Sequence, residues 1–589
     1  MVRKKIWVLL LLVFSLTLVL AACADNTSGD EESGDEGADG TEETEGSDGD
    51  AEAGEPKQGG EVTFAFTQPF QGLLEWGFYE GEDDEKILRF LSDSLVETND
   101  DLEPEPGMAD YEVDEENNTV TFTIKDGITW HDGEPLTSED IAYAYEVIGH
   151  PDYQGMRYAN VSMIEGVEEY NAGEADEISG IEIVDEQTIV LTLNDVAPNT
   201  MSNLWSYPMP KHHYEGIDVA DLPESDAVRK NPIGTGPFQV TNIVPGEMVE
   251  MEKYEDYWQG EPHLDGVVYQ VIDASVAAGS LENGEVDIMA APSSQYPEIQ
   301  ELDNVRAVEE PSLGFNYIGF KFGHWDAEAG VNVMDNEKFQ NKQLRKAMSY
   351  AIDREGILES FSNGLGELIE APMPPVSWAY ADPEEHDLEV YNYDPEKAEE
   401  LLDEAGYVDV NDDGWREDPD GNEFTVNFDS MSGSDISEPR AQYILQNWQD
   451  VGINASLNGG LKEFNLFYDV VENDDPSVET FMGAWGLASD PDPTGLWKEE
   501  DISNYARWVN EEADELVEEG LSDQAFDQEY RKEVYIEWQK IVNDELPNIF
   551  LYAPVDVYAI NERLQNVHTN SFTSQQDTHE WWVTDADEE

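Results

Sequence analysis

Charge is the feature that most restricts what this chain can fold into. Acidic residues outnumber basic ones by 133 to 29, which gives a formal net charge of −104. Hydrophobic residues still make up 39% of the chain, and 15 Trp, 26 Tyr and 21 Phe are enough for large packed cores. We therefore expect a folded protein with an acidic surface. Because such a surface repels phosphate backbones, nucleic-acid binding is excluded.

Length and cysteine content set further limits. At about 150 residues for each domain, 589 residues correspond to roughly three or four domain-sized units. A single cysteine excludes an internal disulfide, a cysteine zinc cluster and an iron–sulfur site. Residues 24–56 hold 14 acids and no base, so most of the negative charge belongs to the remaining body. Like charges destabilise a compact state unless salt screens their repulsion. The negative charge of the body therefore predicts a salt-adapted or alkaline-adapted source.

The first residues have the pattern of an export signal. Arg3, Lys4 and Lys5 precede an apolar stretch from Ile6 to Ala22, which is short for a membrane span. The stretch ends at Cys23 and resembles the lipobox of bacterial lipoprotein signals. That resemblance implies cleavage before Cys23, lipid attachment to its thiol and a protein anchored at the extracellular face of the cell membrane. Residues 1–22 are then the signal peptide and residues 23–58 an acidic disordered tether.

The body alternates between strand and helix patterns. Period-two alternation predicts strands at 61–66, 119–124 and 188–193. Asp394 before Pro395 and a Gly at 406 delimit a predicted helix, and a second helix begins after Phe526. Interspersed strands and helices predict an α/β fold with several domains.

Two conspicuous motifs in the body have structural interpretations. His131 stands beside an acid, but the Asp-Gly that follows is a turn signal ahead of a helix capped by Thr137, so we expect His131 to order that turn. The Gly-rich and Pro-rich segment at 231–238 lacks the Lys and following Ser or Thr of a phosphate-binding loop. A tight structural turn is therefore expected there.

Several segments, in order along the chain, resemble the family 5 extracellular solute-binding proteins, which serve peptide and nickel ABC importers. These segments are FTIKDGITWHDGEPLTSEDI at 122–141, NPIGTGPF at 231–238, YEDYW at 254–258 and LRKAMSYAIDR at 344–354. The resemblance covers residues 59 to 560 and is of the oligopeptide-binding type.

The resemblance implies a two-lobed, type II periplasmic-binding-protein fold of cluster C with an extra small domain. The implied divisions are residues 59–73, 180–307 and 553–589 for domain I, residues 74–179 for domain II and residues 308–552 for domain III.

The implied function is binding without chemistry. The protein would be the lipid-anchored, monomeric receptor of an ABC importer, closing on a peptide at a hinge and delivering it to a permease driven by ATPases, with no required cofactor. The same fold binding a nickel chelate, an oligosaccharide or haem is the alternative within the family. A secreted hydrolase that uses two of the many carboxylates is the alternative from another class.

By resemblance, the ligand site lies in the segment from residue 483 to residue 497. The backbone of Ala484, Trp485 and Gly486 would pair with an extended peptide, and a nearby carboxylate would receive its α-ammonium. Asp490 is the first candidate for that carboxylate and Asp492 the second, while Ser489 is a further candidate for its position in the family. The alternative is a surface loop whose prolines stop a helix.

A further segment has the spacing of a calcium loop. Oxygen ligands fall at loop positions 1, 3, 5, 7, 9 and 12, with a Gly at position 6. The predicted ligands are Asp409, Asn411, Asp413, Trp415, Glu417 and Asp420. Asp420 is shorter than the usual Glu, and in so acidic a chain a solvated loop is the alternative.

Overall fold

The computed structural model describes residues 56 to 586, apart from residues 435 and 574. The strands of the first half are β1 (Glu61–Phe66), β2 (Val96–Thr98), β3 (Pro104–Pro106), β4 (Ala109–Asp114), β5 (Thr119–Ile124), β6 (Ile181–Ile183), β7 (Thr188–Thr192), β8 (Phe238–Val244), β9 (Met248–Lys253), β10 (Gly266–Val271) and β11 (Ile288–Ala290). Those of the second half are β12 (Val305–Pro311), β13 (Gly314–Phe320), β14 (His324–Asp326), β15 (Val331–Val333), β16 (Gly366–Leu368), β17 (Thr425–Asp429), β18 (Asn454–Leu457), β19 (Thr480–Gly486), β20 (Asn548–Asn561), β21 (Leu564–Gln565) and β22 (Trp582–Val583).

Helices are interspersed with these strands along the whole described chain. They are α1 (Glu82–Leu91), α2 (Ser138–Ile148), α3 (Val167–Asn171), α4 (Thr200–Asn203), α5 (Lys211–Tyr214), α6 (Asp226–Arg229), α7 (Ala277–Glu282), α8 (Tyr296–Ile299), α9 (Lys342–Tyr350), α10 (Arg354–Ser362), α11 (Pro395–Glu404), α12 (Ser437–Asp450), α13 (Phe464–Glu472), α14 (Glu511–Glu519) and α15 (Gln528–Glu545). The predicted strands appear as β1, β5 and β7, and the two predicted helices as α11 and α15.

The largest sheet runs through two lobes. Its strand order is β18-β17-β19-β13-β20-β11-β1-β10-β9-β8, and β12 and β16 also pair with β20. We call residues 56–311 with 555–586 the first lobe, and residues 312–554 the second lobe. Each lobe has its own large hydrophobic core. The core of the first lobe includes Val62 and Ala586, and the core of the second lobe includes Phe315 and Ala553.

The long strand β20 belongs to both lobes. Its second half, from Val555 onward, pairs with β12 and β11 of the first lobe. Its first half, up to Pro554, pairs with β13 and β16 of the second lobe. Since β12 leads almost directly into β13, two neighbouring crossings connect the lobes. Such a pair of crossings is the usual construction of a hinge.

A separate four-stranded antiparallel sheet, in the order β4-β5-β7-β6, lies in the first lobe. Helix α2 lies between β5 and β6 in the chain and begins with the predicted capping box, in which Thr137 and Asp140 exchange side-chain and backbone hydrogen bonds. Buried residues alternate along β5, as expected for a strand with one face in a core.

The turn at His131 and the Gly-rich and Pro-rich segment at 231–238 contact each other. His131 Nδ1 accepts from the N–H of Gly234 at 3.1 Å, and Nε2 donates to the carbonyl of Gly236 at 2.9 Å. Burial lowers the pKa of His131 to about 4, so it binds this turn as a neutral ring. A Cβ on Gly234 would lie 1.9 Å from the carbonyl oxygen of Leu91, which explains the glycine.

Candidate functional site

Strand β19 of the second lobe has one paired edge and one largely open edge. It pairs with β13 along its whole length, from Thr480 to Gly486. On the other edge, β17 pairs only with Thr480 and Phe481. Beyond β17, the chain at Met431 pairs with Lys462 instead. Residues 482–486 therefore have no strand partner on their outer edge among the residues that the structure describes.

The alternation along β19 shows which backbone groups face outward. Leu487 N–H donates to the carbonyl of Leu313 at 2.7 Å, so every second residue counted from Leu487 bonds to β13. The N–H and C=O groups of Ala484 and Gly486 therefore point away from β13. Both residues are exposed. An edge of this kind can accept one more extended chain through main-chain hydrogen bonds.

Aromatic rings lie beside this open edge. Trp485 stacks on Tyr505 with ring centroids 5.3 Å apart and planes at 25°. Tyr468 lies 6.1 Å from Tyr505, and Phe464 lies 4.8 Å from Tyr468. Phe464 is 59% exposed, so these rings extend from the edge to the surface of the second lobe. Tyr468 and Tyr505 belong to segments distant in sequence from β19, and no sequence signal pointed to them.

Asp490, the first candidate for receiving an ammonium group, already has a cationic partner. Arg531 of α15 donates to its two carboxylate oxygens from Nη1 and Nη2, both at 2.7 Å. The two side chains are 8% and 5% exposed. Since a guanidinium repels a second cation, this pair disfavours Asp490 as the acceptor of an ammonium group, and the choice between Asp490 and Asp492 stays a prediction.

Asp492 has neutral partners and faces the other lobe. Its Oδ1 accepts from the N–H and the hydroxyl of Thr494, at 3.0 and 2.7 Å. Its Oδ2 accepts from Asn199 Nδ2 of the first lobe at 2.7 Å. Burial raises the pKa of Asp492, and the nearby charge of Asp490 adds to the rise. Asp492 is thus a half-buried carboxylate that forms no ion pair with a base among the described residues.

Other contacts also join the lobes. Gln528 Nε2 of α15 donates to Glu103 Oε1 at 2.6 Å, and Asn363 Nδ2 donates to the carbonyl of Ser293 at 2.7 Å. Together with the bond between Asn199 and Asp492, these contacts join the two lobes.

A cavity of about 260 Å³ lies between the lobes. Ala488 and Ser489 line it from the second lobe, and carboxylates that include Asp93 and Glu97 line it from the first. Burial raises the pKa of Asp93 to about 6, against hydrogen bonds from the Trp258 ring N–H and the Tyr257 hydroxyl. Burial, with the charge of Asp93 next, raises the pKa of Glu97 to about 7. This wall of the cavity therefore opposes further negative charge.

The loop proposed for calcium is closed by its own hydrogen bonds. The N–H groups of Asp412 and Gly414 donate to Asp409 at 2.7 and 2.9 Å. Asn411 Nδ2 donates to the buried Glu417 at 2.6 Å. Within residues 56–586 and outside the two gaps, no three His, Cys, Asp or Glu side chains form a metal-binding group.

The calcium interpretation stays a prediction. The residues concerned are Asp409, Asn411, Asp413, Trp415, Glu417 and Asp420. Among them, Asp409, Asn411, Asp413 and Glu417 have side-chain oxygens that accept hydrogen bonds within the loop.

The proposed export signal, Cys23 and most of the tether lie outside the described residues. Within the described part, no helix is both long enough and apolar enough to cross a membrane.

The two lobes, the strands that join them and a cavity between the lobes, lined by residues that directly follow an open strand edge, define a two-lobed binding protein. The family model of the bacterial extracellular solute-binding proteins, family 5 (middle region), matches residues 103–501. The chain belongs to this family. The predicted family and the predicted two-lobed α/β fold are confirmed, whereas the domain boundaries and the individual site residues stay predictions.

Several relatives are similar over nearly the whole chain. The oligopeptide-binding protein AppA of Bacillus subtilis (strain 168) is 28% identical over 591 residues, which cover 99% of both chains. Lactococcal OppA, solved with an endogenous peptide in the closed conformation, has a TM-score of 0.75 at 25% identity and covers 88% of this chain and 99% of its own. AppA from Bacillus subtilis, solved with a nonapeptide, has a TM-score of 0.70 at 26% identity and covers 90% of this chain and 100% of its own.

Proposed function

We propose that this protein is the peptide receptor of an ABC importer. The observation that carries the proposal is the open edge of β19, where the backbone groups of Ala484 and Gly486 point away from β13 and have no strand partner among the described residues. Main-chain hydrogen bonds to this edge hold an extended peptide whatever its sequence. Relatives with peptide ligands support the choice of ligand.

The peptide's amino end would be received by the segment that follows β19. We place the α-ammonium at Asp492, because Asp490 is neutralised by Arg531 and Ser489 carries no charge. A carboxylate in a closed cleft fixes an ammonium by a charge-assisted hydrogen bond.

Closure of the cleft would bring Asn199 to Asp492 and so complete the site. We propose the division into domain I, domain II and domain III at the boundaries predicted from the sequence, with β12, β13 and β20 as the hinge. The closed form would be the one that the membrane permease recognises.

Delivery needs a place at the membrane. We propose that a lipid on Cys23 anchors the protein at the extracellular face of the cell membrane, with residues 23–58 as the tether. The protein would act as a monomer, without a cofactor and without catalysis, and pass its ligand to a permease driven by ATPases.

Replacing Cys23 by Ser is expected to release the protein from membranes with its fold intact. Membrane binding at the wild-type level would instead show that the apolar segment remains as an anchor.

Native mass spectrometry of the purified protein with its co-purified ligand tests the ligand class directly. A distribution of peptide masses is the expected result. Haem, a nickel chelate or an oligosaccharide in its place would overturn the peptide proposal, and turnover of a peptide or glycoside would favour the hydrolase alternative.

Calorimetry on four combinations of protein and peptide tests the ammonium site. Asp492→Asn keeps the shape but removes the charge, and N-acetylation removes the ammonium from the peptide. Each change alone is expected to cost on the order of 2 to 5 kcal/mol, and the two together little more than one, because they remove the same interaction. Asp490→Asn is the matched comparison. A coupling energy near zero at Asp492 would move the ammonium site elsewhere.

A further inference from the structure

The part of β19 with the open edge has few side chains that could hold it in place. Its sequence from residue 483 to residue 486 is Gly-Ala-Trp-Gly. Backbone pairing with β13 fixes its inner edge, but its outer edge has no strand partner among the described residues. Since glycine leaves a chain free to take other conformations, the large ring of Trp485 is the main means by which the rest of the lobe can hold this segment.

The ring of Trp485 lies on Tyr505, which belongs to a loop at residues 501–507 that we call the Tyr505 loop. The two ring planes are nearly parallel, at 25°, and their centroids are 5.3 Å apart. The Tyr505 hydroxyl donates to Glu472 Oε1, at the end of α13, at 2.7 Å. Such a pair holds the ring of Trp485 only as firmly as the Tyr505 loop is itself held.

Arg507 joins the Tyr505 loop to the end of α13. Its side chain is fully buried. Nη1 donates to the carbonyl of Ile502 in the loop at 2.7 Å, and Nη2 donates to the carbonyl of Glu472 at 2.8 Å. Nε donates to Asp474 Oδ1 at 2.8 Å. One guanidinium therefore connects the loop that carries Tyr505 with the helix end that accepts from the Tyr505 hydroxyl.

The partners of Arg507 are buried and have further bonds. Asp474 Oδ1 also accepts from the ammonium group of Lys321. Asn332 Oδ1 accepts from Arg507 Nη1 at 3.1 Å, and Asn332 Nδ2 donates to the carbonyl of Asp501 at 2.9 Å. The Tyr505 loop is thus held at its start, by Asn332, and at its end, by Arg507.

The backbone of Arg507 has an uncommon conformation for an arginine. Its φ is +61°, in the left-handed region that costs free energy for residues other than glycine. Burying a guanidinium is also costly unless its donors are bonded. Residues in such conformations are concentrated at functional sites, where the surrounding structure enforces them. The two costs together indicate a specific role for this side chain.

We propose that Arg507 is a positioning residue for peptide binding, which through Tyr505 holds the ring of Trp485 and so keeps the open edge of β19 in the extended form that a peptide pairs with. The edge is then ordered when the protein folds, so its ordering does not weaken binding. Because Arg507 is fully buried, it acts without contacting the ligand. The inference rests on the proposed function and identifies the residue that prepares its site.

Arg507→Met tests the proposal, because it removes the guanidinium but leaves Asp474 paired with Lys321. The first readout is made without peptide, on protein that contains 5-fluorotryptophan, with Trp485→Phe to assign the fluorine resonance of residue 485. We expect this resonance to shift or broaden in Arg507→Met. The second readout is the affinity for several pentapeptides by calorimetry. It should fall roughly three to tenfold, by the same factor for every sequence, as the loss of an aromatic pair allows.

Arg345→Met is the matched control. Arg345 is also buried, and its guanidinium donates to the carbonyls of Phe339 and Glu545, in other segments of the lobe. Its removal leaves Glu545 paired with Lys342. This variant should lower the stability of the protein as well, but it should leave both the resonance of residue 485 and the affinity for peptides unchanged.

A double-mutant cycle tests the route from Arg507 to the strand edge. When Arg507→Met is added to Trp485→Ala, it should cause little further loss of affinity, because the ring through which Arg507 acts is already absent. An undiminished loss in the Trp485→Ala background would overturn the proposal, since the effect of Arg507 would then bypass Trp485.

The failures are distinguishable. If Arg507→Met is less stable but keeps the wild-type resonance and affinity, Arg507 is only structural and the proposal fails, while the proposed function stands. If Arg507→Met does not fold, Arg507→Lys decides by the same two readouts, because it keeps a cation beside Asp474 but supplies one nitrogen in place of three. Unchanged readouts in Arg507→Lys would then overturn the proposal. A wild type that binds no peptide overturns both the proposed function and this inference.

Discussion

The two lobes stabilise buried charge in different ways. Among the described residues, the buried bases all belong to the second lobe: Lys321, Arg345, Arg354, Arg507 and Arg531. Several of them pair with acids, as Arg354 does with Glu370 at 2.6 Å and Arg531 with Asp490 at 2.7 Å. The second lobe therefore contains buried ion pairs.

The first lobe relies mainly on neutral donors. Its buried Asp84 accepts from three consecutive backbone N–H groups, those of residues 71–73, and its buried Glu75 accepts from the Tyr214 hydroxyl. Of the buried acids that the structure describes in the first lobe, only Asp287 forms an ion pair. Its partner, Arg563, is partly exposed.

This difference between the lobes helps to separate structural acids from acids that could bind a ligand. With 133 acids, the position of an acid carries little information. Because bases number only 29, a base buried in a core indicates that the acid paired with it has a structural role. By that criterion Arg531 marks Asp490 as structural, whereas Asp492, which has only neutral partners, remains available to a ligand.

The largest expected effect comes from breaking a pair in the second lobe. Arg531→Met keeps an unbranched, mostly apolar stem but removes the guanidinium, which leaves the Asp490 carboxylate without its cationic partner. We expect the free energy of unfolding to fall by about 3 to 5 kcal/mol, measured by chemical denaturation.

Two controls accompany this variant. Adding Asp490→Asn should recover part of the loss, because the unpaired charge is gone. Lys230→Ala removes an exposed pair with Asp226 and should cost less than about 0.5 kcal/mol. An equal cost for Arg531→Met and Lys230→Ala would mean that the second lobe does not depend on its buried pairs.

The first lobe should instead respond to pH. Burial raises the pKa of Glu75 to about 7, against the hydrogen bond from Tyr214. Because the folded state holds this proton more tightly than the unfolded chain does, the stability that it contributes is full below about pH 4.5 and is lost as pH rises through 7. Glu75→Gln should remove this loss and, above pH 8, exceed the wild type by up to about 3 kcal/mol, because one pKa unit corresponds to about 1.4 kcal/mol.

Thermal unfolding of both proteins between pH 5 and pH 9 measures this difference. The two curves should converge at the acid end and separate as pH rises. Parallel curves would mean that Glu75 is ionised in the folded state throughout, and the contrast between the lobes would then fail at this residue.

A smaller effect is expected where the first lobe supplies a neutral donor to an acid of the second. Asn199→Ala removes the bond to Asp492 that joins the lobes. We expect bound peptide to dissociate roughly fivefold faster, as the loss of about 1 kcal/mol implies. Stopped-flow dissociation measures it, with Asn194→Ala as the control, since the side chain of Asn194 bonds within the first lobe. Unchanged dissociation would show that the contact does not stabilise the closed form.

The smallest expected effect is a difference between the two lobes in how their stability responds to salt concentration. Lower ionic strength strengthens repulsion between like charges and also attraction within ion pairs. The first lobe, poor in buried pairs, should therefore lose protection from hydrogen exchange before the second lobe does, by a difference of about 1 kcal/mol or less. Simultaneous loss in both lobes would indicate that surface charge alone governs the response. A melting temperature independent of salt would contradict salt adaptation.

Local signals in the sequence predicted much of the fold. Helix α11 begins where Asp394 precedes Pro395, and the Asp394 side chain accepts from the N–H of Lys397. It ends before Gly406, whose φ of +88° suits glycine. Such features depend on residues close in sequence, so they are visible without the fold.

The site was predicted less completely, because its partners come from distant parts of the chain. Asp490 and Arg531 are 41 residues apart, and Asn199 and Asp492 are 293 apart. One signal was available in the sequence: Arg531 falls on the same helical face as Val534, Tyr535 and Trp538, where a base is unusual. The calcium spacing alone does not decide between an ion and a solvated loop, because local hydrogen bonds use the same acidic side chains as an ion would.

The position of β20 near the end of the chain has a consequence for folding. Residues 548–561 pair with strands that begin as early as residue 288 and that belong to both lobes. A growing chain therefore lacks a central strand of each lobe until its last tenth has been made. Pairings of such high contact order form slowly, and here they form together. The pairing of residues 548–561 is therefore a step on which the completion of both lobes depends.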